Sequence, residues 1–373
     1  MDFSLTDEYQ AVYDLAGQIF SGQLTPERFK ALDDDRFDRA LWGELAQAGL
    51  LGIALPAESG GAGLSFLAVA LLLEQAGRHA APVPVLPTLV LGAMTIAEFG
   101  TTDQKAKILP GVVSGSLVVT AALLEPGADP RQPSARAAQN GTGWLLTGAK
   151  TCVAAGPIAD YFLVPAATGQ GTIGMFLVDA RSQGVTVTRL MTTSGSPEAR
   201  VEFDLVPVEP DDVVGTRTGG AEIVDWLLTR ATAALCSQMA GVAKQAVHLT
   251  AEYAKTREQF DRPIATFQAV GQRIADAFID AEAILLTSRQ AAWRLAEGLP
   301  AVQEVAIAKY WAADAGQRVV HAAQHIHGGM GVDRDYPLHR YFLMAKQLEL
   351  SLGGATPQLL KLGRIIATEP ANV

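Results

Sequence analysis

Three short segments of this 373-residue chain hold residue types that do chemistry. In REQFDRPIATFQAVGQRIAD, residues 257–276, Arg257, Phe260 and Gln268 fall on a helix–turn–helix stretch. A guanidinium can hold a pyrophosphate through two parallel hydrogen bonds, and a phenyl ring can pack on a nucleotide ring. The same residues also describe a surface Arg beside a core Phe. In HIHGGMGVDRDYPLHR, residues 325–340, Gly328 and Gly329 let backbone amides come close to a ligand. His325 and His327 are metal-ligand types, but no HExxH and no carboxylate cluster accompanies them, so a hydrogen-bonded loop is the expectation there. In LGIALPAESGGAGLS, residues 51–65, one Pro and four glycines interrupt two helical patterns. A tight helix connection explains that segment as well as a ligand loop does.

Positioning these segments falls to three stretches of distinct periodicity. Residues 1–116 repeat apolar side chains at helical spacing, as in LWGELAQAGL and FLAVALLLEQAG, with Pro and Gly clusters between. Thr6 before Asp7 and Glu8 reads as an N-cap with an acidic first turn, and no basic n-region precedes it, so a helix and not a signal peptide is expected. Residues 117–216 change to short β-rich runs such as DYFLVPAA, IGMFLVD and ARVEFDLVPV, separated by turn residues. Residues 217–373 return to long helical patterns whose lengths suit a four-helix bundle. The expected class is therefore α+β, with a β-domain between two helical domains and no tandem repeat.

Composition narrows the function classes. Hydrophobic residues make up 49% and charged residues 18%, which describes a buried globular core. A net charge of -10 argues against nucleic acid as a partner, because that needs a basic face. No run of about 18 apolar residues occurs, so no membrane span is expected. Cys152 and Cys236 are too few and too far apart for a disulfide framework, which points to a reducing cytoplasm.

Taken in order, these segments resemble the acyl-CoA dehydrogenase family over nearly the whole chain. The family pattern PxExGGxGxS, a β-domain opening near TEP, RxQFGxPIxxFQ and QxHGGxG appears here at family spacing. The resemblance implies an N-terminal helical domain, a middle β-barrel-like domain and a C-terminal four-helix bundle, assembled as a dimer of dimers with FAD at the subunit interface. It also implies α,β-dehydrogenation of an acyl-CoA thioester, with a glutamate taking the α-proton. The residues that a family member donates to its neighbour's FAD would here be Arg257, Gln259, Phe260, Ile264, Phe267, Gln324, His325, Gly328 and Gly329.

Departures from the family pattern are as informative. The commoner glutamate position falls on Leu352 or Gly353, depending on one gap, and the alternative position, ten residues before Gly241, falls on Ala231. Glu349 is the nearest carboxylate to the first. TEP becomes Leu124-Glu125-Pro126, GSD becomes Ala128-Asp129-Pro130, and the aromatic and threonine that meet the flavin become Cys152 and Ala154. Asp261 replaces a glycine, and His325 a glutamine. The pattern resembles the base-lacking subunit of actinobacterial α2β2 steroid side-chain acyl-CoA dehydrogenases. That implies a glutamate-bearing homologous partner, a steroid side-chain CoA ester as substrate and an electron-transfer flavoprotein as acceptor. Two other readings stay open: a homomeric enzyme with a displaced base, and a non-redox acyl-CoA-binding or scaffold protein.

Overall fold

Side chains that accept hydrogen bonds from exposed amides set most of the N-terminal helix starts. Thr6 accepts from the Tyr9 amide and opens α1 (Asp7–Gln23), and Thr25 with Pro26 opens α2 (Pro26–Lys30). Asp38 opens α3 (Arg39–Gln47) and Ser65 opens α4 (Phe66–Arg78). A π-helical segment, Leu86–Ala93, runs into α5 (Met94–Phe99), and a Thr101/Gln104 capping box opens α6 (Thr102–Val113). This computed structural model describes residues 4–32 and 36–368.

The middle of the chain forms β1 (Val119–Ala121), β2 (Arg136–Asn140), β3 (Gly143–Ala154), β4 (Tyr161–Gly169), β5 (Thr172–Asp179), β6 (Val185–Leu190), β7 (Glu198–Val208) and β8 (Val213–Val214). They join one eight-stranded sheet in the order β6-β7-β3-β2-β4-β5-β8, with β1 parallel to β4. Period-two alternation buries Ala199, Val201 and Phe203 of β7. It is interrupted where Leu205, at φ 50°, falls in a register shift against β3. Helices then return as α7 (Gly220–Thr256), followed by a short hairpin of β9 (Glu258–Gln259) and β10 (Arg262–Pro263), α8 (Gln268–Ala296), α9 (Val302–His327), α10 (Leu338–Leu350) and α11 (Ala355–Thr368).

The elements pack as two compact units. One holds α3, the π-helical segment, α5, α6, the sheet and the first turns of α7. Its core stacks Trp144, Phe162, Phe176 and Phe203 with the valines of β7. Burial of each such side chain stabilises by about 1.5–3 kcal/mol. Beside this core, Lys150 Nζ donates to Glu125 Oε1 at 2.6 Å and to Pro165 O at 2.8 Å. The Glu125 carboxylate also accepts from the Ser134 and Ala135 amides, at 2.6 and 3.1 Å. Burial alone would raise the Glu125 carboxyl, but Lys150 and the amides hold it below the ordinary carboxylate range. Burial pushes the Lys150 ammonium down, partly offset by Glu125, and the pair stays ionised.

The other unit holds α1, α2, α4 and the bundle from Thr232 onward. Here α4 and α7 cross at backbone contact. A Cβ at Gly77 would stand 2.0 Å from Gln238 O, and one at Gly241 would stand 1.8 Å from Glu74 O. Only glycine fits at either position. Across the same unit the buried Glu74 carboxylate accepts from Tyr13 Oη at 3.1 Å and from Arg289 at 3.2 Å. The helical, β, helical order expected from periodicity is the observed one.

Candidate functional site

The segment after α7 is built as a hairpin on a helix end. The Arg257 amide still donates to Tyr253 O at 2.8 Å, and the Ile264 amide donates back to Arg257 O at 2.8 Å. Gln259 pairs with Arg262, which leaves Phe260 and Asp261 as a two-residue loop. Their φ angles, 54° and 61°, are the left-handed pair of a type I′ turn, where glycine is usual at the second position and Asp is tolerated. The turn holds Phe260 88% exposed and edge-on to Phe267, with ring centroids 6.2 Å apart. The Arg262 guanidinium lies 4.2 Å from the Phe267 ring centre. Arg257 and Gln259 are exposed, and among the described residues Arg257 makes no ion pair.

The second segment lies at the end of α9. Gln324 is half-buried against Gly331, where an added Cβ would stand 2.9 Å from its Nε2, and His325 is exposed. His327 is buried instead. Its Nδ1 lies 2.8 Å from Ala323 O and must donate, so its Nε2 accepts from the Tyr336 hydroxyl at 3.1 Å. Both ring nitrogens are thereby engaged within the chain. Burial lowers the His327 pKa, which keeps the ring neutral at pH 7. Tyr253 stacks on the ring at 4.3 Å and donates to His327 O at 3.5 Å. Gly328 follows at φ 58°, ψ -133°. A Cβ at Gly328 or Gly329 would meet nothing within 4 Å, so the face of this turn is open to a ligand.

The structure thus brings the two expected segments together through Tyr253, four residues before Arg257. Tyr253 and Tyr336 were not singled out from the sequence. The helical spacing of Tyr253 to Arg257 and the DRDYP tail of the glycine motif are the signals that could have found them.

At the expected base position α10 ends, and the chain turns with Leu352 at φ 54° and Gly353 at φ 92°. Lys309, fully buried on α9, donates to Leu348 O at 2.5 Å and Glu349 O at 3.0 Å. Burial pushes its ammonium down to about 8. Gln358 Nε2 donates to Leu352 O at 3.2 Å. A Cβ at Gly353, φ 92°, would stand 3.3 Å from Pro357 Cβ. Glu349 Oε2 is held 2.6 Å from Lys346 Nζ. On the other unit Ala231 is fully buried in α7.

The sheet unit is shaped but not equipped on its expected flavin face. Leu124 O accepts from the Thr151 amide at 2.8 Å, and Ala154 O accepts from Thr120 Oγ1 at 2.8 Å. Cys152 is exposed at φ 50°, inside a register shift of β3. None of Leu124, Ala128, Cys152 or Ala154 offers a hydroxyl. For a dinucleotide, the unpaired Arg257, the exposed Phe260 and the open Gly328–Gly329 turn fit, whereas the sheet positions do not.

Three acyl-CoA dehydrogenase domain families match the chain in order: the N-terminal domain over residues 6–116, the middle domain over residues 122–206 and the C-terminal domain over residues 218–366. With that coverage, the fold and the two assembled segments, the chain belongs to the acyl-CoA dehydrogenase family, whose cofactor is FAD. It is 44% identical over 382 residues to acyl-CoA dehydrogenase FadE27 of Mycobacterium tuberculosis, covering 100% of each chain. Among solved structures it is similar to a chain of the ChsE4-ChsE5 complex from Mycobacterium tuberculosis, with 44% identity, a TM-score of 0.93 and 100% of each chain covered. It is also similar to a chain of the Tcur3481-Tcur3483 steroid ACAD, with 44% identity, a TM-score of 0.90, and 97% of this chain and 98% of that chain covered.

Proposed function

We propose that this chain is the companion subunit of a heteromeric FAD-dependent acyl-CoA dehydrogenase, completing the FAD site of a homologous glutamate-bearing partner in an α2β2 assembly and supplying no base itself. One contrast carries the reading. The donor segments are assembled and exposed, while Leu352 or Gly353 and Ala231 stand where the family's carboxylate would be. In this reading Arg257 neutralises the FAD pyrophosphate, Phe260 and Phe267 cover an aromatic ring, and the Gly328–Gly329 turn offers backbone amides. Gln259, Ile264, Gln324 and His325 complete the contact. When bound, FAD takes up the two electrons that α,β-dehydrogenation removes from the acyl chain.

The heteromeric assignment draws support from exposed apolar surface. Leu359, Leu360 and Ile366 of α11 are 48–60% exposed, and Gln358 is that helix's buried residue. Phe278 and Ile279 of α8 are exposed as well. Apolar faces of this kind mark association surfaces. A steroid side-chain CoA ester is the substrate class, supported by the likeness to the steroid ACAD. An electron-transfer flavoprotein is the acceptor implied by the family, and the cytoplasm is the setting the two free cysteines suggest.

The test is to express the chain alone and with a glutamate-bearing homologue, then measure bound FAD by absorbance and assembly by native mass. One flavin per pair of unlike chains, and none on the chain alone, is expected. A homotetramer carrying one flavin per chain would overturn the proposal. In the mixed complex, Arg257→Ala in this chain should weaken FAD binding by about one to two orders of magnitude.

A further inference from the structure

Three aromatic side chains from three separate segments meet behind the candidate half-site without touching its open face. Tyr253 comes from the last turns of α7, His327 ends α9, and Tyr336 lies in the segment before α10. We infer that the Tyr253–His327–Tyr336 cluster is a joint that holds the Arg257 hairpin and the Gly328–Gly329 turn in register before the dinucleotide arrives, an inference that rests on the half-site reading.

Each segment adjoins a member of the cluster. The Arg257 amide donates to Tyr253 O at 2.8 Å, so the hairpin starts one helical turn from the tyrosine ring. His327 is the residue before Gly328, and its orientation is fixed by three contacts: Nδ1 to Ala323 O, Nε2 to Tyr336 Oη, and the 4.3 Å stack on Tyr253. Tyr336 also meets the Tyr253 ring edge-on, with centroids 6.2 Å apart, which closes the triangle. The Gly328 amide donates to Gln324 O and His325 O at φ 58°, directly after the His327 ring that the cluster holds. A ligand spanning both segments binds more tightly when they need no ordering at the moment of contact. Tyr253, His327 and Tyr336 are thus positioning residues.

The mixed complex decides the matter through FAD affinity, read from quenching of flavin fluorescence, and through melting temperature with and without FAD. Tyr253→Leu should weaken FAD binding about tenfold or more while native mass shows intact assembly, and should shrink the rise in melting temperature that FAD produces. Tyr253→Phe keeps the stack and should restore affinity to within about threefold of wild type. Tyr336→Phe, which removes only the hydroxyl on Nε2, should weaken FAD binding by a smaller factor of about two to five, and it serves as the readout if Tyr253→Leu does not assemble. If Tyr253→Leu lowers both melting temperatures equally and leaves FAD affinity unchanged, the cluster is packing alone and the inference falls. If the wild-type complex takes up no FAD, the half-site reading falls first, and the joint with it.

Discussion

Lys309 keeps an ammonium where water does not reach, and two helix-end carbonyls are its anchors. Its folded pKa of about 8 lies below the ordinary 10.5, so between those values the unfolded chain binds more protons than the native one. Stability from this group therefore rises with pH across that window, and below it the buried charge costs about 3 kcal/mol relative to the neutral amine. Lys309→Met removes the titration but leaves the carbonyls of Leu348 and Glu349 without their donor. The stability difference between wild type and Lys309→Met, followed by urea unfolding, should shift in favour of wild type by about 3 kcal/mol from pH 8 to 10.5. A difference that stays flat with pH would mean that Lys309 is not buried as a charge. His327 acts in the opposite range. Burial lowers its pKa, so stability falls as the pH drops below the unfolded value of 6.5.

The β9–β10 hairpin is where an element and a family departure meet. Asp261 stands in the left-handed slot of a type I′ turn that glycine enters without strain, so Asp261→Gly should stabilise the chain by about 1 kcal/mol, read as a higher urea midpoint with an unchanged m-value. Motif order made the turn between two helices legible from sequence, but not the β-pairing of Gln259 with Arg262 that shapes it. Gly241 was legible as a landmark, and its backbone contact with Glu74 O shows why no other residue serves. The π-helical winding of Leu86–Ala93 was not legible. LPTLVLGA is apolar throughout, so no periodicity separates an i+5 ladder from an i+4 one, and the Met94 amide reaching Leu89 O becomes visible only in the backbone. Nor was the Tyr253–His327–Tyr336 triangle, since stacking between distant segments leaves no spacing rule. No motif marks Lys309, and its burial shows only in the packed helices.

At the scale of the whole molecule, the chain divides its equipment unevenly. In the proposed reading its bundle unit would carry the nucleotide-facing edge, while Leu124, Ala128, Cys152 and Ala154 of the sheet unit stand where the family resemblance expects flavin contacts. An asymmetry of that kind suits a chain whose complement is supplied by another. The exposed leucines of α11 carry this beyond chemistry into supply. Made in surplus over whatever covers Leu359, Leu360 and Ile366, the chain presents the wet apolar helix that chaperones retain and proteases clear. Soluble yield should therefore rise severalfold on co-expression with its partner, and Leu360→Lys should improve the yield of the chain alone while abolishing the mixed complex. The cellular dose of the dehydrogenase would then follow the scarcer of two gene products, with α11 as the gauge that removes the excess.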